Sequence, residues 1–123
     1  MHMTFRWFGS TDPIPLAHIR QIPGVNGVVS ALYDVPVGDP WPRARLERLG
    51  ADIDAAGLKL AVVESIPVHE DIKLGRPTRD RLIANYCDSV RAMGELGVSV
   101  LCYNFMPVFD WLRTDLAMSL PDG

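Results

Sequence analysis

Four short clusters of polar and ionisable residues follow apolar runs in this chain: Arg6-Trp7, Tyr33-Asp34, Glu64-Ser65 with His69-Glu70, and Tyr103-Asn104. Glu64 closes an apolar strand, so its carboxylate is either half-buried with a raised pKa or paired with a cation such as Arg6 or Lys73. A structural ion pair and a site role are both open to it. His69 is the one histidine in a polar post-strand loop, since His2 is terminal and His18 falls on a predicted helix. It could carry a proton near neutral pH, donate to a substrate, or stand in solvent; without a second histidine beside it, a metal role is disfavoured. Lys73 and Arg76 offer positive charge to an acidic substrate, although loop cations are usually just solvated. Tyr103 and Asn104 bring a hydroxyl and an amide, which hold polyols by directional hydrogen bonds, and Arg6 and Trp7 could do likewise. Trp111 is either a hydrophobic wall or packing.

These residues need elements to position them, and the apolar patterning supplies an alternating series. A β-rich segment over 4–8 is closed by Gly9, and Asp12-Pro13 then reads as an N-cap with proline at the first helical position. The helix that follows covers about 13–21, with Leu16, Ile19 and Ile22 inward, and Pro23-Gly24 ends it. A second strand over 27–33 is continuous in small and apolar residues, as parallel strands covered on both faces tend to be. A helix over about 42–56 keeps Leu46, Leu49, Ile53 and Ala56 on one face, and Gly57 stops it. The third strand spans 58–66 and runs into the 69–77 loop. Thr78 then caps a third helix whose stripe is Leu82, Ile83, Tyr86, Val90, Met93 and Leu96, ended by Gly97. Strand four covers 98–104. The joints Ala56-Gly57-Leu58 and Leu96-Gly97-Val98 share one grammar. So do the loops, because Pro36-Val37-Gly38-Asp39, Pro67-Val68-His69-Glu70 and Pro107-Val108-Phe109-Asp110 repeat one pattern, as a reused supersecondary unit would.

The order βαβαβαβ, with crossovers of helical length, calls for an α/β fold with parallel strands. Polar clusters after every strand favour a (β/α)8 barrel, whose strand ends share one site, over a doubly wound sheet, which concentrates chemistry at one switch point. With 123 residues, 48% hydrophobic, the chain can bury the core of one domain. A net charge of −3 and the lack of a basic stripe argue against nucleic acid. No apolar run reaches the ~18 residues of a membrane span, and no signal layout opens the chain, so a cytoplasmic setting is expected. Cys87 and Cys102 have no metal-ligand spacing and read as buried free thiols. No Gly-rich phosphate loop, Ser/His/Asp set or paired-cysteine motif is present.

Four strings carry a resemblance: Thr4-Phe5-Arg6-Trp7, Tyr33-Asp34-Val35-Pro36-Val37-Gly38, the run from Glu64 to Gly75, and the run from Tyr103 to Trp111. Together, in this order, they resemble the mannonate dehydratases. The resemblance implies a TIM barrel of xylose-isomerase-like type, with residues 1–123 as the N-terminal half of a single barrel domain and about its first four βα units. It implies a lyase that dehydrates D-mannonate to 2-keto-3-deoxy-D-gluconate in hexuronate (glucuronate) catabolism. The chemistry would be proton abstraction beside the carboxylate and loss of the neighbouring hydroxyl. A divalent manganese or iron ion is implied, held by a His, Cys, His and Asp set. Cys87 and Cys102 do not match that set, so no metal ligand is expected here, and the acid and base are expected outside this chain too. What the resemblance leaves here is a substrate-side wall of Trp7, Glu64, His69 and Asn104, with Arg6, Lys73 and Tyr103 behind them. A homo-oligomer and the C-terminal half of the barrel are the implied partners. A non-catalytic half-barrel assembly module and a related sugar isomerase or epimerase are the competing readings.

Overall fold

The computed structural model describes residues 2–109, 114–115 and 117–121. Strands β1 (Met3–Arg6), β2 (Val25–Ser30), β3 (Lys59–Glu64) and β4 (Val100–Cys102) form one sheet in the order β1-β2-β3-β4, and every pairing is parallel. Between them come α1 (Leu16–Ile19), α2 (Arg43–Ala55), α3 (Glu70–Lys73) and α4 (Arg79–Glu95). Trp111 lies outside the described residues, as does the acidic end of the third Pro-Val repeat, Asp110.

A strand order that never reverses has a simple consequence. Right-handed crossovers then place each connecting helix on the same face of the sheet, and the reversal that marks a doubly wound sheet is absent among the described strands. The core fills that helix-covered side, with Val28, Val63, Ile19, Leu46, Ile53 and Leu58 essentially removed from solvent. The opposite face is different. Gly27 sits there with no room for a side chain, since a Cβ would come within 2.9 Å of both Thr4 Cγ2 and Ala61 Cβ. Toward the strand ends this face carries Arg6, Glu64 and Cys102 and remains open to solvent.

One irregularity decides which residues reach that face. Val28 pairs with Leu60 but Val29 pairs with Val62, so Ala61 is an extra residue in β3. Such a bulge changes the phase of everything beyond it. Val63 consequently enters the core, and Glu64 turns to the face that carries Arg6.

The helix-to-strand joints share their grammar in atomic detail. At the end of α2, Gly57 N–H donates to Asp54 O and Leu58 N–H to Ile53 O; at the end of α4, Gly97 N–H donates to Gly94 O and Val98 N–H to Met93 O. Both are Schellman closures, and the glycines adopt φ +74° and +77°, which any Cβ would oppose. Leu58 and Val98 follow into the core.

Elsewhere the sequence expectations need correction. The first helix is one turn, because Asp12 does not cap it; its carboxylate instead accepts from Phe8 and Ile14 N–H at 2.7 and 2.8 Å, holding a turn ahead of it. Only Ile19 of its expected inner residues is buried, and Ile22 is exposed. Strands two to four are shorter than read, so Tyr33 and Asn104 lie past the strand ends. Thr78 stands at the start of α4, yet its hydroxyl donates to the Asp71 carboxylate and makes no cap bond. Ile83 is exposed. The cysteines are not buried: Cys87 is half-buried, and Cys102 is exposed because it ends an edge strand on the open face.

Candidate functional site

All four strands run the same way, so their carboxyl ends line one edge of the sheet. Two of the sequence-predicted residues meet there. Arg6, last in β1, extends its guanidinium past β2 to Glu64, last in β3, with Nη1 at 2.8 Å from Oε1 and Nη2 donating to the Glu64 carbonyl at 3.3 Å. Of the two cations open to Glu64 by sequence, Arg6 is the one that pairs with it. The guanidinium also lies 4.9 Å from the centre of the Phe8 ring, a cation–π contact that fixes its plane. Arg6 Nε is buried without a partner, and because Nη1 and Nη2 each carry a second N–H, the pair leaves donor capacity unused at the outer end of the guanidinium. The Glu64-Ser65 peptide is cis.

Trp7 goes the other way. Alternation along β1 turns its side chain to the helix side, where it is part of the core, and only its backbone serves the strand ends. Its carbonyl accepts from Ser30 Oγ at 2.8 Å and from Tyr33 Oη at 3.3 Å, and its N–H donates to Val29 O. The Tyr33 ring in turn leans on Phe8, centroids 5.7 Å apart. A cavity of about 490 Å³ opens on this side, with Trp7, Phe8, Tyr33 and Arg48 in its wall, and Asp34 bound to Arg45 at 2.5 Å. That arginine holds the Asp34 carboxyl below the usual carboxylate range.

His69 and Lys73 sit on α3, a turn of helix in what the sequence presents as loop. His69 is its N-cap, and Nδ1 accepts from Asp71 N–H at 3.0 Å. Its ring faces Gly38, whose hypothetical Cβ would lie 3.0 Å from Cδ2, and Asn85 Nδ2 donates to the Gly38 carbonyl at 2.8 Å. The Pro-Val loop after β2 is thus pressed between His69 and α4. Lys73 is not a solvated loop cation. Its side chain is 6% exposed and pairs with Glu70 at 2.8 Å while donating to the Met106 carbonyl at 3.1 Å. Arg76 remains on the surface, 3.8 Å from Asp71.

Beyond β4, Asn104 is half-buried and Tyr103 largely exposed. Tyr103 also borders an apolar groove of about 450 Å³ shared with Val68, Ile72, Tyr86, Leu101 and Phe105. The edge therefore brings Arg6 and Glu64 into contact and sets Asn104 and Tyr103 past β4, whereas Trp7, His69 and Lys73 support the edge from behind. A guanidinium with spare donors, a carboxylate and an amide can bind and orient a polyhydroxy acid. Among the described residues, no group of three or more His, Cys, Asp or Glu side chains could hold a metal ion.

The family profile described as D-mannonate dehydratase (UxuA) matches residues 1–123. The chain belongs to this family. It is 58% identical over 123 residues to a mannonate dehydratase of Streptococcus uberis, covering 100% of this chain and 35% of that protein. It is 59% identical over 124 residues to the mannonate dehydratase of Thermotoga neapolitana, with 100% and 34% covered. A crystal structure of mannonate dehydratase from Streptococcus suis superposes with a TM-score of 0.97 at 56% identity, again over 100% of this chain and 35% of that one. The chain thus spans about a third of the length of these relatives.

In this D-mannonate dehydratase family chain, sequence reasoning missed Ser30, Phe8 and Glu70. Ser30 carried a signal, being a lone hydroxyl at the end of an apolar strand that is fully buried in the structure. Glu70 has no signal of its own in the sequence, because its bond with Val108 is set by tertiary placement.

Proposed function

We propose that this chain is part of a mannonate dehydratase, a hydro-lyase converting D-mannonate to 2-keto-3-deoxy-D-gluconate, and that it supplies one wall of the sugar-acid site. The observation that carries this is the Arg6–Glu64 pair at 2.8 Å, at the carboxyl edge of a parallel sheet whose order never reverses. A sheet with helices on one face and polar strand ends on one rim suits a segment of a TIM barrel, where the rim holds the chemistry. The neighbouring strands would come from the rest of the polypeptide, in a metabolic enzyme of the cytoplasm acting as a homo-oligomer. No helix among the described residues is long and apolar enough to cross a membrane.

On this reading Arg6 offers its free donors to substrate oxygens, Glu64 holds the guanidinium in place and can accept from a hydroxyl, and Asn104 and Tyr103 add directional bonds. Trp7, His69 and Lys73 stand behind them. Dehydration removes a proton beside the carboxylate and the adjacent hydroxyl, giving an enol that becomes the 2-keto acid. The described residues do not fit the manganese or iron ion expected of the family, since the nearby carboxylates of Glu64, Glu70 and Asp71 are bound to Arg6, Lys73 and Thr78 and no triad of ligands converges. Its ligands, the acid and the base are assigned to the remainder of the protein.

The test is a chimera in which these 123 residues replace the matching segment of the Streptococcus suis enzyme. Supplied with manganese and D-mannonate, it should release a 2-keto acid. Ketose formation would make it an isomerase, and a folded chimera without turnover would leave a non-catalytic module.

A further inference from the structure

The loop after β4 is tied at its start to β3 and at its far end to the segment that follows β3. At its start, Cys102 pairs with Glu64 in the sheet. At its far end two backbone groups meet α3: the Met106 carbonyl accepts from Lys73 Nζ at 3.1 Å, and Val108 N–H donates to Glu70 Oε2 at 3.0 Å. Glu70 Oε1 closes the arrangement on Lys73 at 2.8 Å. One ion pair on α3 therefore holds the neighbouring loop by a donor and an acceptor together.

Two further features show that this contact shapes the loop. Lys73 is almost wholly buried beneath it, a position in which an unpaired ammonium would be costly. Val108 has φ +68°, left-handed backbone that a β-branched residue rarely adopts without being held. The span fixed between the two ties is Tyr103, Asn104 and Phe105.

We propose that Glu70 and Lys73 are positioning residues: as a strap across the two loops, they set Asn104 and Tyr103 against the Arg6–Glu64 edge for substrate binding. This rests on the sugar-acid reading above. The strap touches backbone only, so neither residue needs to meet substrate. It also explains why a lysine at this rim is buried, which a direct ligand of an acidic substrate would not be.

The test uses the active chimera and the variants Glu70→Ala, Lys73→Met, Lys73→Arg and the Glu70→Ala/Lys73→Met pair, with two readouts. Amide hydrogen exchange across 103–109 should speed up in Glu70→Ala and Lys73→Met while the amides of β3 keep their protection. KM for D-mannonate should rise about tenfold with kcat nearly unchanged, the pattern of lost binding without lost chemistry. Lys73→Arg should recover part of both, and the double variant should be no worse than either single one, because the two side chains act as one device. Unchanged exchange in the loop overturns the strap whatever the kinetics. A loosened loop with unchanged KM overturns the positioning role. A chimera whose loop loosens but which never turns over mannonate faults the sugar-acid reading instead, and with it the role assigned to the loop.

Discussion

Arg6 and Glu64 form an ion pair at 2.8 Å although the strands that carry them are not neighbours, β2 lying between them. A long arginine at the end of β1 can reach over β2, and Val29, its partner in β2, is too short to obstruct it. Both side chains keep more than a third of their surface exposed, so the pair contributes little to stability, about 0–1 kcal/mol as for other exposed pairs. Glu64→Gln in the chimera should leave the melting temperature almost unchanged. Mannonate kcat/KM should fall about tenfold or more, since charged hydrogen bonds are worth ~1.5–3 kcal/mol. Activity at the wild-type level would reduce the pair to a surface contact.

His69 has a structural duty that its place in a polar stretch conceals. As the N-cap of α3 it accepts from Asp71 N–H, and removing a cap costs ~0.5–2 kcal/mol. His69→Ala should lower the urea midpoint accordingly. His69→Asn, which keeps a cap acceptor, should recover most of the loss, and equal destabilisation by both would point to packing against Gly38 instead.

Ser89 joins α4 to the loop after β2. Fully buried, its Oγ accepts from Trp41 N–H at 2.9 Å and donates to Asn85 O at 3.0 Å. Ser89→Ala strands a buried backbone donor, at ~1–3 kcal/mol. Urea denaturation should show a loss in that range, and Ser89→Thr, which retains the hydroxyl, a smaller one. A neutral alanine variant would mean that water replaces the bond.

The Glu70 carboxyl is held below the ordinary glutamate range, first by the hydrogen bond from Lys73 and next by Val108 N–H. A depressed folded pKa means that the carboxylate contributes stability above the unfolded pKa of about 4.3, lost as pH falls through the lower folded value. Wild type should therefore melt above Glu70→Gln at neutral pH, and the two curves should converge in acid, where Glu70 is itself neutral. A constant difference across the pH range would assign the effect to something other than this charge.

Much of this architecture is legible in the sequence because its signals are local. The apolar stripes of α2 and α4, and glycines at the two Schellman closures, are read directly from residue type and spacing. The polar strand-end clusters mark the rim for the same reason, and Glu64 could be matched to Arg6 as one of two nearby cations. Residues without a local signal take their places from tertiary contacts. Helix α3 is too short to show a stripe, so His69 and Lys73 read as free loop residues. Trp7 reads as a site residue by its position after β1, whereas alternation from Arg6 sends it into the core. Cys102 reads as buried because an edge strand cannot be told from an inner one by composition.

Ala61 gives the acid at position 64 an unusual form of specification. Leu60 and Glu64 are four residues apart and would share a face in an unbroken strand, so the side Glu64 occupies is encoded by the bulge between them as well as by residue type. Were β3 to pair without its bulge while keeping every residue, it would be read like a frame-shifted message: each letter after Leu60 would survive, yet Val63 would emerge toward Arg6 and the carboxylate would be delivered under the helices. Deleting Ala61, by contrast, leaves Val29–Val62 and Ser30–Val63 paired in an unbroken ladder. For anyone moving this acid into another sheet, the inheritable object is the block from Leu60 to Glu64 together with the pairing that lets it bulge.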